Sequence, residues 1–224
     1  MKRERTTTRQ AGRWRKYARR ALLALVVVLC LAWATLSYVG TLNGNVRVVE
    51  PGRVYRSGQL VGPKLVDVLR SRHIRSVVNL RGHLPEDAKL RNEWAVCRRM
   101  DIEHVDISMS AGKLPWPTEL RKLILALDKL PRPMLIHCAG GSDRTGLVCA
   151  LYVNMYERVP LDDAQSDQLT WRYGHLRYGS AHPMDDFFAL YRKTGKGMSI
   201  RRWALDRYPK VYAELMSRRN TARS

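Results

Sequence analysis

One short segment, residues 137–146, combines the residue types that nucleophilic chemistry on an anion requires. It reads His-Cys-Ala-Gly-Gly-Ser-Asp-Arg-Thr-Gly, so five residues separate Cys138 from Arg144. We call residues 138–144 the Cys138 loop. A short apolar run precedes the loop and a helical pattern follows it, which predicts a strand, a tight loop and a helix in that order.

The composition of the Cys138 loop suits a phosphate group, whose three non-bridging oxygens need several hydrogen-bond donors at once. Gly140 and Gly141 allow the backbone to turn its N–H groups inward, and the following helix adds free N–H groups at its N-terminus. Arg144 supplies a planar fork of donors. The predicted phosphate-binding residues are Ala139, Gly140, Gly141, Ser142, Arg144 and Thr145.

The positive field of such a loop also favours the thiolate form of Cys138. A thiolate can attack phosphorus and form a phosphocysteine intermediate. The Thr145 hydroxyl is expected to hydrogen-bond the sulfur and help it leave, and His137 is expected to orient the loop. The alternative is a buried, inert cysteine at a strand end, but it leaves two glycines, an arginine and a helix start at fixed offsets unexplained.

The stretch HCAGGSDRTG resembles the signature loop of the cysteine-dependent protein tyrosine and dual-specificity phosphatase superfamily. Residues 54–59 (VYRSGQ) and 77–81 (VVNLR) resemble segments of its bacterial dual-specificity-like members, and the resemblance covers residues 50–195. It implies hydrolysis of phosphomonoesters through a cysteinyl-phosphate, without metal or cofactor. The substrate stays open between a phosphorylated protein and a small phosphomonoester or phosphoinositide.

The general acid that protonates the leaving oxygen is where this sequence departs from the commonest pattern of the superfamily. In much of the superfamily an Asp on a mobile loop before the signature does so, but residues 108–117 contain no carboxylate. Asp143 is favoured, because it resembles an Asp linked to acid catalysis in the myotubularin, Sac and some bacterial phosphatase loops. Asp106 is the alternative: it lies 32 residues before Cys138, like the usual acid, but within a predicted strand, where it would bond to the sheet edge.

The elements around the Cys138 loop alternate between strand and helix patterns, which predicts an α/β domain with a mostly parallel central sheet flanked by helices. This is the architecture of the cysteine phosphatases. Residues 161–219 are predicted to be helical throughout. The predicted strands are 53–56, 74–80, 102–108 and 133–137, and the predicted helices are 62–73, 85–100, 117–130 and 145–157.

The domain organisation follows from length and composition. The 224 residues, 45% of them hydrophobic, allow one ordinary domain with appendages and exclude general disorder, and four cysteines are too few for a disulfide scaffold. We predict a basic N-terminal segment (1–20), a transmembrane helix (21–42), a linker (43–52), a phosphatase domain (53–195) and a helical basic C-terminal extension (196–224).

The N-terminal region is where the net charge of +20 is densest, with nine Lys or Arg and one Glu in residues 1–20. No charged residue follows until Arg47, and a helix of 19 apolar residues would be about 28 Å long, close to the thickness of a bilayer. The positive-inside rule then predicts a single-pass anchor with a cytoplasmic N-terminus and a periplasmic or other extracytoplasmic catalytic domain. A cleaved signal peptide is the alternative, because Ala32-Trp33-Ala34 fits a cleavage pattern.

Several residues outside the Cys138 loop are further functional candidates. Arg81 follows a predicted strand end, where α/β sites lie, and Trp116 is a candidate to gate the pocket, although each has an ordinary structural interpretation. Arg56 is a candidate to pack beneath the Cys138 loop. No metal site is expected, since ligand spacing is absent among His73, His83, His104, His175 and His182.

Two other functions compete with phosphatase activity, and nucleic acid is not the expected partner. A rhodanese-like sulfurtransferase also uses a strand, a cysteine loop and a helix, but its loop is typically shorter. The second alternative is a membrane-tethered phosphate-binding module that has lost turnover because the usual general acid is missing. Residues 171–178 and 193–219 are basic and aromatic, yet contain no recognised nucleic-acid-binding module, so they are expected to form a solvated helical cap whose cations attract acidic substrates.

Overall fold

The structure, a computed structural model, describes the backbone of residues 4–42 and 44–221 and the side chains of residues 14–33, 44–219 and 221. The chain divides into two units, Met1–Leu42 and Asn43–Ser224, and the Cys138 loop belongs to the second.

The first unit contains a single helix, α1 (Glu4–Leu42). Among the described residues, no helix is both long enough and apolar enough to cross a membrane. The predicted transmembrane helix at residues 21–42 is therefore not supported. Its residues 34–42 lie beyond the described side chains of this helix.

The second unit is built on a five-stranded sheet in the order β1-β2-β5-β3-β4. All neighbouring pairs are parallel except β1 with β2, which is antiparallel. The strands are β1 (Arg47–Glu50), β2 (Val54–Ser57), β3 (Ser76–Asn79), β4 (Glu103–Asp106) and β5 (Met134–His137). The predicted α/β fold with a mostly parallel sheet is confirmed.

The strands differ from their predictions mainly at the sheet edge. β1 lies within residues 43–52, the segment predicted to be a linker. This four-residue strand pairs on one side only, and its Val48 is 46% exposed. Its short, half-exposed sequence carries little of the apolar pattern by which buried strands are recognised. The other strands begin or end one or two residues inside the predicted segments or shift by one, as is usual for element boundaries.

The parallel register aligns the carboxyl ends of four strands along one edge of the sheet. Ser57 and Asn79 both pair with His137, and Asn79 also pairs with Asp106. In parallel α/β sheets this edge is where ligands bind. The segment that leaves β5 at His137 is the Cys138 loop, so the fold places it at the centre of that edge.

Helices cover both faces of the sheet because successive strand residues point to opposite sides. Leu135 packs in a core cluster with residues of two early helices, whereas Met134 and Ile136 pack in a larger cluster on the other face. The helices of this unit are α2 (Gly62–Ser71), α3 (Ala88–Arg99), α4 (Pro117–Lys129), α5 (Asp143–Tyr156), α6 (Leu161–Gln168), α7 (Pro183–Thr194), α8 (Ile200–Arg202) and α9 (Tyr208–Thr221), with a 3₁₀ turn at Trp171–Tyr173 and a π-helical segment at Trp203–Arg207.

Two helical predictions need correction. Helix α3 begins at Ala88 and not at Pro85, because the Asp87 carboxylate caps it by accepting hydrogen bonds from the backbone N–H groups of Lys89 and Leu90. The stretch 161–219 is not helical throughout: residues 174–182 form an irregular segment, which begins at Gly174 in the left-handed conformation with φ +89°.

The C-terminal helices belong to the core and do not form a solvated cap. Ile200, Trp203, Ala204 and Tyr208 are buried in the larger cluster, and the Trp203 ring lies 5.3 Å from that of Phe187 in an edge-on contact. The buried core therefore extends past residue 195, the predicted end of the phosphatase domain, into the predicted extension.

Candidate active site

The Cys138 loop makes a tight turn between β5 and α5. Gly141 has φ +74°, a left-handed conformation that side chains disfavour. The Cys138 side chain is almost fully buried, and the Gly141 N–H donates a hydrogen bond to its sulfur over 3.3 Å. The predicted strand, loop and helix are thus confirmed, and a backbone amide does point at the thiol.

The loop carbonyls face outward, away from the sulfur. The Ala139 carbonyl accepts from the Gln59 N–H at 3.0 Å, and the Gly140 carbonyl accepts from the Asn45 side-chain amide at 3.1 Å. In a trans peptide the next residue's N–H points the opposite way from the carbonyl. The N–H groups of Gly140 and Gly141 are therefore directed toward the inside of the loop, as anion binding requires.

Arg56 holds the loop from beneath and is completely buried. One terminal nitrogen, Nη2, donates to the carbonyls of Gly141 at 2.8 Å and Ser142 at 3.3 Å. The other, Nη1, donates to the backbone carbonyl and the side-chain oxygen of Gln168. Its guanidinium carbon lies 4.0 Å from the centre of the Tyr173 ring. The expectation that Arg56 packs beneath the loop is confirmed.

Arg144 is fixed by one end and leaves another donor unsatisfied. Its Nη1 donates to the carbonyls of Met109 at 3.1 Å and Leu80 at 3.3 Å. Its Nε is buried without a hydrogen-bond partner among the described residues, and the same is true of the Thr145 hydroxyl. A buried unpaired donor is costly, and an anion would satisfy it. The predicted hydrogen bond from Thr145 to the sulfur is absent from this structure.

Asp143 is the first residue of α5 and is 29% exposed. Its Oδ1 lies 2.7 Å from Nδ1 of His175, whose Nε2 lies 2.8 Å from Oδ2 of Asp185. Burial acts to lower the pKa of His175, but its hydrogen bonds to the two carboxylates outweigh burial and raise it. Sequence reasoning missed His175 and Asp185, because nothing in their spacing connects them to the loop.

Asp106 sits at the carboxyl end of the edge strand β4 and is held by its neighbours. Its Oδ1 accepts from the Asn79 amide at 2.7 Å and from the Trp94 indole N–H at 3.4 Å, and its Oδ2 lies 3.1 Å from Nδ1 of His83. Both carboxylate oxygens are thus engaged at the sheet edge. This is the structural alternative that the sequence left open for Asp106.

The match to a known family decides what this loop belongs to. A family model described as PTP-SAK, the Swiss Army Knife protein DSP-PTPase phosphatase domain, matches residues 43–173, more than half of the chain. The chain belongs to the PTP-SAK family. The resemblance to cysteine-dependent phosphatases is therefore confirmed, and the matched range contains the Cys138 loop together with Asn45 and Arg56, which support it.

Solved structures show that the PTP-SAK chain shares its fold with several phosphatases. A mutant form of Tk-PTP matches with a TM-score of 0.50 and 17% identity, covering 66% of this chain and 97% of that chain. A putative phosphatase from Shewanella putrefaciens CN-32 matches at 0.50 and 18% identity, covering 65% and 92%. The core catalytic domain of the PP-IP phosphatase SIW14 from S. cerevisiae, in complex with citrate, matches at 0.50 and 18%, covering 66% and 91%. No curated protein matches.

A buried ionic cluster of the PTP-SAK domain lies directly beside the Cys138 loop. The Glu93 Oε1 lies 3.0 Å from Nε2 of His137 and 2.8 Å from Nε2 of His104, and its Oε2 accepts from the Gln59 amide. Burial opposes ionisation of Glu93, but the electrostatic attraction of His137 and the hydrogen bonds of both histidines lower its pKa to about 2. The cluster thus holds the His137 side chain at the end of β5, the residue before Cys138.

The same three residues are the group in the described part of the chain that could hold a metal ion. One ligand atom from each of Glu93, His104 and His137 lies within 4.8 Å of the others. Their mutual hydrogen bonds already satisfy these atoms. The expectation of no metal site rested on sequence spacing, which did not reveal that His104 meets this cluster.

The two remaining cysteines of the domain have raised thiol pKa values and are poor nucleophiles. Burial, with a smaller contribution from Glu93, raises the pKa of Cys97 to about 12. Burial likewise raises the pKa of Cys149 to about 11, although Arg56 acts in the opposite direction. Both thiols stay protonated at neutral pH, so neither competes with Cys138 as a nucleophile.

A cavity of about 200 Å³ opens beside the Arg144 anchor at Met109. Arg81 belongs to its wall, but its guanidinium is held by Gln59 at 3.1 Å and by Asp87 at 2.5 Å. Trp116 is 56% exposed at the same wall. The residues that line this cavity are Arg81, Ser108, Met109, Ser110, Lys113, Leu114 and Trp116.

Proposed function

We propose that this chain hydrolyses phosphomonoesters through a covalent phosphocysteine on Cys138. The observation that carries the proposal is the inward-facing amide of Gly141, which donates to the Cys138 sulfur at 3.3 Å. The same donors that stabilise a thiolate would bind the equatorial oxygens of a transferring phosphoryl group. Arg144 adds its buried, unpaired Nε to these donors.

The reaction proceeds in two displacements. In the first, the Cys138 thiolate attacks phosphorus, the S–P bond forms, the bond from phosphorus to the leaving oxygen breaks, and Asp143 gives its proton to that oxygen. In the second, water attacks phosphorus and its proton passes to the Asp143 carboxylate. The S–P bond breaks, which releases phosphate and regenerates the thiolate.

Asp143 is assigned the proton transfers for two reasons. Among the described residues, its Oδ1 is bound by His175 and its Oδ2 makes no hydrogen bond, so one oxygen remains to face a substrate. Asp106, by contrast, has both oxygens engaged by Asn79, Trp94 and His83. We expect Asp106 to act as a structural link between β3 and β4.

The substrate class proposed is a phosphomonoester on a protein, an inositol or another small molecule. Lys113 at the wall of the cavity supports an acidic substrate, because a cation attracts negative charge, whereas the charge of Arg81 in the same wall is paired with Asp87. One structural relative is described as a PP-IP phosphatase. A panel of phosphotyrosine and phosphoserine peptides, inositol phosphates and nucleotides, assayed at fixed salt, ranks these classes.

The test of function compares the full chain with its Cys138→Ser variant on p-nitrophenyl phosphate. We expect turnover by the wild type and none by the variant. Rapid acid quenching with a ³²P-labelled ester should trap a phosphoryl group on sulfur. Turnover of thiosulfate in its place would indicate a sulfurtransferase, and phosphate binding without turnover would indicate a binding module; either result would overturn the proposal.

We further propose that the N-terminal region anchors the enzyme in a membrane, with the catalytic domain on the extracytoplasmic side. The support comes from sequence alone: nine cations precede residue 21, and residues 21–46 carry no charge. Protease treatment of spheroplasts should degrade the domain while leaving a protected N-terminal fragment. Full protection of the domain, or a soluble chain whose N-terminus begins after Ala34, would contradict the anchor.

A further inference from the structure

The most connected polar cluster not yet given a role is the row Asp143–His175–Asp185. It joins three elements of the fold: the first residue of α5, the irregular segment after the 3₁₀ turn, and the first turn of α7. The His175 side chain is 2% exposed, and its two ring nitrogens lie 2.7 and 2.8 Å from the two carboxylates. Such a histidine is held in one orientation, and its hydrogen-bond partners are fixed.

The row reaches the reacting centre through Asp143 alone. Asp185 is 14% exposed, and the Gln165 amide donates to its Oδ1 at 3.0 Å while His175 occupies its Oδ2. Among the described residues, these two partners account for both oxygens of Asp185. The negative charge of Asp185 is therefore fixed against the far side of the imidazole, opposite Asp143.

A general acid must carry a proton at the working pH, but an aspartic acid in water is ionised at neutrality. A proton shared between an imidazole and a carboxylate belongs to the pair rather than to either group. The charged groups that face His175 are Asp143 from α5 and Asp185 from α7, and both raise the pKa of His175 against the effect of burial. The row can therefore retain a proton where an isolated carboxyl would lose it.

We propose that His175, held by Asp185, is the positioning residue and proton reservoir through which Asp143 acts as general acid and base. This inference rests on the proposed phosphatase function. In the first displacement Oδ2 of the Asp143 carboxyl gives its proton to the alcohol while Oδ1 takes the proton of His175 Nδ1, which leaves His175 neutral. In the second, Oδ2 takes the proton of the attacking water and Oδ1 returns its proton to Nδ1, so the row is restored after each turnover.

The decisive experiment measures kcat/KM of the full chain on two esters, p-nitrophenyl phosphate and phenethyl phosphate, because kcat/KM reports the first displacement whereas kcat includes the phosphocysteine hydrolysis common to both. The alkoxide leaving group needs a proton, whereas p-nitrophenolate departs without one. His175→Asn keeps an N–H donor for Asp143 but removes the titrating group. We expect kcat/KM to fall about 30-fold on phenethyl phosphate and less than about 3-fold on p-nitrophenyl phosphate. His182→Asn, which breaks an exposed histidine–carboxylate pair on α7 (2.7 Å), is the matched control and should change neither.

Two further measurements distinguish proton transfer through His175, the relay, from a purely structural role of this residue. The double variant Asp143→Asn/His175→Asn should lose no more activity on phenethyl phosphate than Asp143→Asn alone, because both changes interrupt one proton path. Asp185→Asn should move the alkaline limb of the kcat/KM profile on phenethyl phosphate to lower pH by about one unit, because it removes an anion that stabilises the shared proton.

The outcomes distinguish this inference from the function on which it rests. If the wild type traps no phosphoryl group on Cys138 and hydrolyses neither ester, the phosphatase proposal and the relay fall together. If the phosphocysteine forms but His175→Asn loses activity equally on both esters, or the losses of the double variant multiply, the relay alone is wrong. If His175→Asn does not fold, the Asp185→Asn profile decides: an unmoved alkaline limb overturns the relay.

Discussion

The Arg56 guanidinium lies beneath the Cys138 loop with Nη2 only 2.8 Å from the carbonyl oxygen of Gly141. Arg56 is fully buried and forms no ion pair among the described residues. Its acceptors are neutral carbonyls and the Gln168 side chain, so its charge is not cancelled locally. Arg56 therefore turns the loop carbonyls outward and adds a positive charge below the site where the anion would bind.

Replacing Arg56 with lysine should damage both stability and phosphate affinity. Lysine keeps the charge, but it has no planar fork to reach the carbonyls of Gly141 and Ser142 together, and it stacks less well on Tyr173. We expect the free energy of unfolding to fall by about 3 kcal/mol and KM for p-nitrophenyl phosphate to rise. Arg53→Lys is the control, because Arg53 is 60% exposed in a surface pair with Glu50. Urea denaturation and steady-state kinetics measure both effects; equal, small changes in the two variants would contradict this role.

Gly141 is a second point at which the loop tolerates no substitution. It has φ +74°, and an added Cβ would lie 2.6 Å from the Gly58 nitrogen and 2.6 Å from the Ser57 carbonyl carbon. Because these are backbone atoms, the loop itself would have to move. Gly141→Ala should therefore abolish phosphate binding, measured by calorimetry, and destabilise the fold by more than about 2 kcal/mol.

Gly52→Ala provides the comparison that isolates the steric effect. Gly52 has nearly the same φ, +72°, but nothing lies within 4 Å of its added Cβ. The Gly52→Ala variant should lose only about 1 kcal/mol of stability, from the unfavourable backbone conformation of alanine, and should bind phosphate normally. If the two alanine variants behaved alike, the close approach between the Cys138 loop and the end of β2 would be irrelevant.

The sequence predicted the Cys138 loop well because its determinants are contiguous. Cys138, the glycines and Arg144 lie within one strand–loop–helix, and short-range geometry places them together. The supporting residues come from far along the chain: Asn45 lies 95 positions from Gly140, and His175 lies 32 positions from Asp143. Only the packing of the fold brings such residues into contact, so spacing alone did not reveal them.

The misjudged elements have equally physical reasons. The sequence of β1 predicts a linker because an edge strand is paired on one side only and half of its residues are exposed. The basic composition of the C-terminal helices predicts a solvated cap, whereas Trp203 and Tyr208 are fully buried. A helix with many charges still packs into a core when a few large apolar side chains share one face.

Glu93 should make the free energy of unfolding of the domain fall at acidic pH. Its pKa is lowered from 4.5 to about 2 in the folded state, because the attraction of His137 and the hydrogen bonds of both histidines outweigh burial. Because the pKa of Glu93 is lower in the folded state, the ionised carboxylate stabilises the fold at pH values above 4.5. This stabilisation is lost as the pH falls from 4.5 toward 2. The loss between pH 6 and pH 3, measured by urea denaturation, should be about 2 kcal/mol.

The Glu93→Gln variant identifies the source of that dependence. It should be less stable than the wild type at pH 6 but lose less stability on acidification, because it has no carboxylate to protonate. Glu103→Gln, a change at an exposed position of β4, should follow the wild-type curve at both pH values. A wild-type slope that persists in Glu93→Gln would assign the acid sensitivity to other groups.

The C-terminal helices should be required for the domain to fold. The Trp203 ring is completely buried against Phe187 and Tyr208, and the Tyr208 hydroxyl donates to the Pro115 carbonyl at 2.5 Å, which ties this region to the segment before α4. A chain that ends at residue 195 should therefore be insoluble or lack a cooperative thermal transition. Trp203→Ala should cost about 4 kcal/mol, whereas Tyr178→Ala, at an aromatic side chain that is 96% exposed, should cost less than about 0.5 kcal/mol. A truncated chain that unfolds cooperatively at the wild-type temperature would show that residues 196–224 are dispensable for folding, despite the burial of Trp203 and Tyr208.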